Sequence, residues 1–404
     1  MGNNVTIGIF TVKNFAYSNG KYYTYGGFGN YIIDFSKYFK KVILLAHVIE
    51  IEPPYGYYLV DIPNIEIVSL PPVRGELQVL LKLRNYFKIA KNHIHKMDII
   101  EARMPDYSGI VGAILAKKNN KPLFNIIIDD WYLQAKSVPF FKKLGLGALL
   151  KVHLFIYDFL ERKLCKGEIV LAQGKTCYQK HVKNAKKCYK ILSSAHQLKD
   201  ITNELHPKFS KNQFTILNVG RLNTVKNQQL ILHAVAILNK NFDYHKYKIE
   251  HVGEGSKKNE LLKLAKKLNI ESCINFNGRV KYGKDLWYFF DKADCFVLSS
   301  TSEGTPKVLL EACARGLPII ASDVAGVTTT INHNKNGYIF PSNDINELVK
   351  RIKDISENKN DRYQMRLKAI QTAKENTLEY RNKEMISIIS KSFPNLNIEC
   401  PLSK

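Results

Sequence analysis

Residues 294–323 read DCFVLSSTSEGTPKVLLEACARGLPIIASD. DCFVLSS is an apolar run of strand length that closes on two serines. TSEGT is a polar loop containing glycine. PKVLLEACAR has helical spacing, with Pro306 at or near its first position, where a missing N–H costs little. Gly316 ends the helix and Pro318 prevents its continuation. PIIASD is a second strand. Strand, helix and strand in this order make a βαβ unit, which belongs to a parallel sheet.

The same grammar extends in both directions. FTILNVG, YKIEHVG and CINFNG each precede a helical pattern in the second half. In the first half, strands are expected at 7–10, 42–46, 65–70, 98–102, 123–129 and 168–173. They are continuous apolar runs rather than alternating ones, as expected of strands covered on both faces. Between them, Phe28, Ile32, Phe35 and Phe39 recur at helical spacing. The rhythm breaks at 198–212, a polar segment carrying Pro207, and the chain beyond about 344 reads as mostly helical. These signals predict an α/β chain of two doubly wound domains facing across a cleft, at 1–200 and 214–376 with a linker at 201–213. A helix at about 377–392 is expected to pack back on the first domain.

Composition narrows the partners. The chain has 404 residues, with 60 Lys+Arg against 36 Asp+Glu, a net charge of +24. Such an excess favours anionic partners, or reflects a lysine-rich solvated surface. The basic residues are scattered instead of gathered into a tail or one helix, which argues against nucleic acid. The seven cysteines form no CxxC pair. A reducing compartment is expected, without a disulfide framework or zinc site. The chain runs directly into the apolar VTIGIFTV, so no secretory leader is expected. No uninterrupted apolar run has membrane-spanning length.

In doubly wound sheets, ligands bind beyond the carboxyl ends of strands. Glu303 and Glu311, eight positions apart, lie in the loop and helix of the opening segment. The start of that helix offers unpaired N–H groups and the positive end of the macrodipole to an anion. A carboxylate beside a phosphate is repelled, so the useful task for each glutamate is to accept from sugar hydroxyls flanking the phosphates. The alternative is an exposed loop glutamate, with Glu311 pairing Arg315 at i,i+4. In NVGRLNTVKNQ, Gly220 is followed by Arg221, a planar fork for phosphate oxygens, and Lys226, a movable point charge. A solvated basic loop is the plainer reading. HVGEG places Gly253 after a strand, but Lys258 stands where a dinucleotide fingerprint has its third glycine. Gly26 and Gly27, in YGGFGNY, permit close approach of a ligand to backbone. Asp129 and Asp130 end the strand IIIDDWY, as acceptor contacts or as a helix N-cap.

NVGRL, a following lysine, HVGEG, FNGRV, SEGTPKVLLEACARGLPIIASDVAGV and NGYIF occur in this order. Together they resemble glycosyltransferase family 4, the retaining, nucleotide-sugar-dependent enzymes of the GT-B fold. The resemblance is dense over 214–341 and loose in the first half. It implies that Arg221 and Lys226 hold the nucleotide diphosphate, that Glu303 contacts the donor sugar and that Glu311 binds ribose hydroxyls. The loop with Arg279 and Val280 would lie against the base. Gly220, Gly253 and the helix start at Gly304, Thr305, Lys307 and Val308 would complete the donor contacts, and Gly26 and Gly27 would face the diphosphate and acceptor. Many family members carry a histidine where this chain has Asp129 and Asp130, so that role is not carried over.

The resemblance further implies a substrate nucleotide sugar, UDP-linked first and GDP-linked second. No cofactor and no obligatory metal are implied. The acceptor would be a glycan or lipid-linked glycan of surface-polysaccharide assembly, in the cytoplasm or at the inner leaflet. The basic, apolar stretch 137–167 would then lie on an anionic membrane surface, or be an ordinary core helix. A GT-B epimerase or a non-catalytic partner subunit remains the competing reading.

Overall fold

The computed structural model describes residues 4–25, 27–73, 76–132, 146–203, 213–240 and 246–399. The chain divides into two compact units, Met1–Ser193 with Glu379–Lys404, and Ser194–Leu378.

The first unit runs β1 (Thr6–Ser18), β2 (Lys21–Tyr25), α1 (Gly27–Ser36), β3 (Lys41–Glu50), β4 (Tyr57–Leu59), β5 (Ile65–Leu70) and α2 (Glu76–Lys91). It continues with β6 (Ile99–Met104), α3 (Tyr107–Lys118), β7 (Leu123–Ile127), α4 (Leu146–Cys165), β8 (Ile169–Gln173), α5 (Gly174–His181) and β9 (Lys187–Ile191). Among the described residues these strands form one sheet with a parallel body ordered β5-β3-β1-β6-β7-β8-β9. The sequence marks only 7–10 of β1. Its polar second half, through Ser18, pairs antiparallel with β2, and β2 pairs with β4. This tyrosine-rich extension is half-exposed, so it lacks the apolar run that betrays a doubly covered strand.

The second unit runs β10 (Phe214–Val219), α6 (Gln228–Asn239), β11 (Tyr247–Val252), α7 (Lys258–Lys267), β12 (Ile274–Phe276), α8 (Lys284–Lys292), β13 (Cys295–Leu298), α9 (Lys307–Ala314), β14 (Ile319–Ser322) and β15 (Gly337–Phe340). Helices α10 (Ile345–Glu357), α11 (Lys359–Lys374) and α12 (Leu378–Ser392) follow. The sheet is parallel, ordered β12-β11-β10-β13-β14-β15. That order reverses at β10 and β13, the topological switch point of a dinucleotide-binding sheet. Each face has its own core. Ile216, Ile249, Cys295 and Val297 pack with α6 and α10 residues such as Leu232 and Leu348. Leu217, Val252, Phe296 and Leu298 pack with Phe290, Leu309 and Ile370. This double cover is why the strands read as unbroken apolar runs.

From Glu379 on, α12 belongs to the first unit, where Asn382 Nδ2 donates to Asp34 Oδ2 of α1 at 2.8 Å. Pro306 is the N-cap of α9 in an extended conformation, directly before the first helical residue Lys307, so the helix starts one position after Pro306. Gly316 closes α9 at φ +63°, and Leu317 N returns to the Ala312 carbonyl at 3.0 Å.

Candidate donor site

At the carboxyl ends of β10, β11 and β12, three loops are laced together. Gly220 N donates to Val252 O at 2.9 Å, Leu222 N to Glu254 O at 2.9 Å, and Gly253 N to Gly278 O at 2.7 Å. A Cβ on Gly253 would lie 2.0 Å from the Gly220 carbonyl oxygen, and φ there is +138°, so only glycine fits. Beneath the loops, Asn218 Nδ2 donates to Val297 O at 2.8 Å, which leaves its Oδ1 to accept from His251 Nδ1 at 2.8 Å. Burial pushes the His251 pKa down to about 4, against an opposing backbone bond to Gly220.

Lys226 follows an Asn223 turn, its N–H donating to Asn223 Oδ1 at 3.0 Å. Its chain passes near Gly220, where an added Cβ would meet Lys226 Cε at 3.7 Å. Nζ then reaches Glu303 Oε1 at 2.5 Å. These two predicted residues, 77 positions apart, are therefore in direct contact. The pair stays accessible, at 20% and 11% side-chain exposure. Arg221 is exposed on the same loop, and its guanidinium finds no partner among the described residues. Its carbonyl accepts from Gln228 Nε2 at 2.9 Å.

Glu303 and Gly304 are seated from below. A Cβ on Gly326 would lie 1.9 Å from the Gly304 carbonyl oxygen, so the loop after β14 presses its backbone against the glutamate loop. Thr305 Oγ1 is buried with no hydrogen-bond partner among the described residues, just ahead of the α9 N–H groups. Lys307 and Val308, both partly buried, form the first turn of α9.

Glu311 is 8% exposed and its carboxylate finds no hydrogen-bond or ion-pair partner among the described residues. Burial raises its pKa to about 7, with Lys307 pulling it down and Asp200 pushing it up. The i,i+4 pairing with Arg315 does not form. Arg315 forks onto Asp291 of α8 with two bonds of 2.7 Å and donates to the Asp200 carbonyl at 2.8 Å. Glu311 is thus neither a surface helix residue nor a structural salt-bridge partner. Arg279, exposed, lies 3.8 Å from Glu254, and Val280 is partly buried.

The first unit holds the other predicted residues. Gly27 starts α1, and Gly26 lies outside the described residues. Asp129 Oδ1 accepts from Asp130 N at 2.9 Å. Asp130 Oδ2 lies 3.4 Å from Lys180 Nζ, which also meets Asp158 at 2.6 Å and Glu161 at 2.7 Å. Sequence reasoning passed over Lys180, which sits in the polar segment GKTCYQKH. It also passed over Ser299, Ser300 and Ser322, whose hydroxyls meet the backbone of Lys226 and Asn227, the Glu303 carboxylate and the Ser300 carbonyl. No group of three or more His, Cys, Asp or Glu suited to a metal ion occurs among the described residues.

Comparison with known proteins bears on the fold. Anabaena HepE, solved in complex with UDP, superposes with a TM-score of 0.70 at 16% identity, covering 96% of this chain and 100% of that one. The chain has the GT-B fold. Residues 201–375 match the family described as Glycosyl transferases group 1. An uncharacterized glycosyltransferase of Haemophilus influenzae is 36% identical over 137 residues, 34% of this chain and 37% of that protein. This chain therefore spans well under half of that relative. A Campylobacter jejuni α-1,4-N-acetyl-D-galactosaminyltransferase acting on a diphospho-undecaprenol-linked glycan is 29% identical over 58% of this chain and 64% of its own length.

Proposed function

We propose that the chain is a retaining glycosyltransferase of family 4, moving a sugar from a UDP-linked donor to a glycan or lipid-linked glycan. The carrying observation is the contact of Lys226 with Glu303 at 2.5 Å beside the start of α9, with the unpartnered Glu311 buried on that helix. In this reading Lys226, Arg221 and the α9 amides receive the diphosphate. Glu303 accepts from donor-sugar hydroxyls, and Glu311 from ribose hydroxyls. The bond from the anomeric carbon to the diphosphate breaks through an oxocarbenium-like state. The barrier falls chiefly because charge developing on the departing diphosphate meets positive groups already in place. The account requires no metal at the diphosphate. The acceptor is assigned to the first unit, near Gly26, Gly27, Asp129 and Asp130.

Helix α4 supports a membrane-bound acceptor. Val152, Phe155, Ile156 and Phe159 recur at i, i+3, i+4 and i+7 and are each more than half exposed. Lys151, Lys163 and Lys166 are exposed on and just beyond the same helix. Leu154, Tyr157 and Leu164 bury the opposite face. An apolar stripe flanked by lysines suits the headgroup region of an anionic bilayer. No described helix is long and apolar enough to cross a membrane. The part of the basic stretch at 137–145 lies outside the described residues.

A thermal-shift panel of nucleotide sugars, followed by product analysis with the stabilising donor and a diphospho-undecaprenol glycan, tests the reading. A UDP-sugar is expected to stabilise the fold by mass action and to yield an α-linked product. Stabilisation by none of them, or a product of inverted configuration, contradicts it. Flotation with anionic liposomes is expected for the wild type and lost in Phe155→Ser/Phe159→Ser. Equal flotation removes the membrane assignment.

A further inference from the structure

Two adjacent serines close β13, and the structure gives them separate tasks. Ser299 Oγ lies 3.0 Å from the Lys226 carbonyl and 2.9 Å from that of Asn227, while Thr301 N donates to Val225 O at 2.8 Å. These bonds tie the backbone of the 225–227 turn to the end of β13. Asn227 occupies the left-handed region at φ 48° and donates to Asn343 Oδ1 at 2.9 Å, so the turn is held from a second side. Ser300 Oγ instead donates to Glu303 Oε1 at 2.5 Å. Its own carbonyl accepts from Ser322 Oγ of β14 at 2.5 Å. Ser299, Ser300 and Ser322 are all fully buried.

We propose that Ser300, backed by Ser322, is the positioning residue that aims the Glu303 carboxylate at the donor sugar, and that Ser299 separately positions Lys226 for the diphosphate. The proposal rests on the reading of Glu303 as the donor-sugar contact. Its geometry is specific. Lys226 Nζ and Ser300 Oγ both hold Oε1, and no partner for Oε2 is found among the described residues. One oxygen is thus anchored and the other is left to accept from a hydroxyl. The Ser-x-x-Glu spacing resembles that of a capping box, but here the serine hydroxyl holds the glutamate side chain rather than a backbone N–H. A hydroxyl directed at a carboxylate makes one of the stronger protein hydrogen bonds.

The test uses the full chain, UDP as the nucleotide probe and the UDP-sugar that turns over in the donor panel. Ser300→Ala is expected to lower kcat about 10- to 100-fold while leaving the Kd of UDP within about twofold. Ser300→Thr keeps the hydroxyl and restores most of the rate. In a Glu303→Ala background, adding Ser300→Ala changes the rate less than about twofold, because the acceptor that Ser300 holds is already gone. Ser299→Ala gives the opposite signature, a UDP Kd raised several-fold. Retained UDP binding shows that Ser300→Ala is folded. If Glu303→Ala cripples transfer but Ser300→Ala is silent, or multiplies the loss in the double variant, the proposal falls alone. If Glu303→Ala itself leaves transfer intact, the parent reading of Glu303 falls, and the proposal with it.

Discussion

Lys226 in the second unit and Lys180 in the first both meet carboxylates, in different surroundings. The Lys226 side chain is 20% exposed and meets one carboxylate, Glu303. The Lys180 side chain is 5% exposed and meets Asp130, Asp158 and Glu161. Burial pulls the Lys180 pKa down, but Glu161, Asp158 and Asp130 outweigh it and raise it. A buried cation shared by three anions is a structural part, because losing it leaves desolvated charges unpaired. An accessible pair can exchange its partner for a ligand at little cost. The comparison separates Asp130 from Glu303: Asp130 shares a buried cation with two structural carboxylates, whereas one oxygen of Glu303 remains available.

The largest expected effect follows from burial. Lys180→Met should destabilise the protein by about 3–5 kcal/mol in urea or thermal unfolding. Lys226→Met should cost less than about 1 kcal/mol of stability. Equal losses would erase the distinction. Next, Lys226→Ala should lower kcat/KM by about 100- to 1000-fold in sugar transfer, by analogy with removal of an oxyanion donor. A retained rate would remove Lys226 from the diphosphate site.

The third expectation concerns pH. The Glu311 pKa is raised from 4.5 to about 7 in the fold. Its ionised form is therefore disfavoured by folding, and stability falls as pH rises from about 4.5 to 7. Under the proposed ribose role donor binding has the opposite sign, because an ionised carboxylate would accept from both hydroxyls. Donor affinity should weaken by up to about tenfold per unit below pH 7, and Glu311→Gln should flatten the profile. A wild-type profile flat over this range would exclude the ribose role. The smallest effect is expected for Asp130→Asn. Lys180 keeps Asp158 and Glu161, so activity should change less than about tenfold and the fold should persist. A loss as deep as that of Lys226→Ala, measured as transfer rate at saturating acceptor, would make Asp130 catalytic.

The sequence carried the parallel body of both sheets because doubly covered strands leave a physical mark. Phe296, Val297 and Leu298 face two different cores and are all apolar. The β2–β4 extension left no such mark, since tyrosines on a half-exposed edge suit a loop equally well. At the site, residue type and spacing after strands singled out Glu303, Lys226 and Glu311 but left a plainer reading open for each, and the structure brings Lys226 onto Glu303. The i,i+4 rule offered Arg315 for Glu311, but it cannot see Asp291, which comes from α8 and captures the guanidinium with two bonds. Ser299 and Ser300 were silent for another reason. Serines at a strand end are ordinary turn residues, and their partners lie on other elements. Lys180 looked like one more surface lysine among many, and only the packing of α4 against its segment buries it.

Calorimetric titration of UDP and UMP into wild type and Lys226→Ala tests the donor site most directly. The account predicts that wild type prefers UDP by at least about tenfold, the weight of a charge-assisted contact to the second phosphate, and that Lys226→Ala markedly reduces the preference, leaving only the share held by Arg221 and the α9 amides. Equal affinity for the two nucleotides in wild type, or an undiminished preference without Lys226, would contradict it.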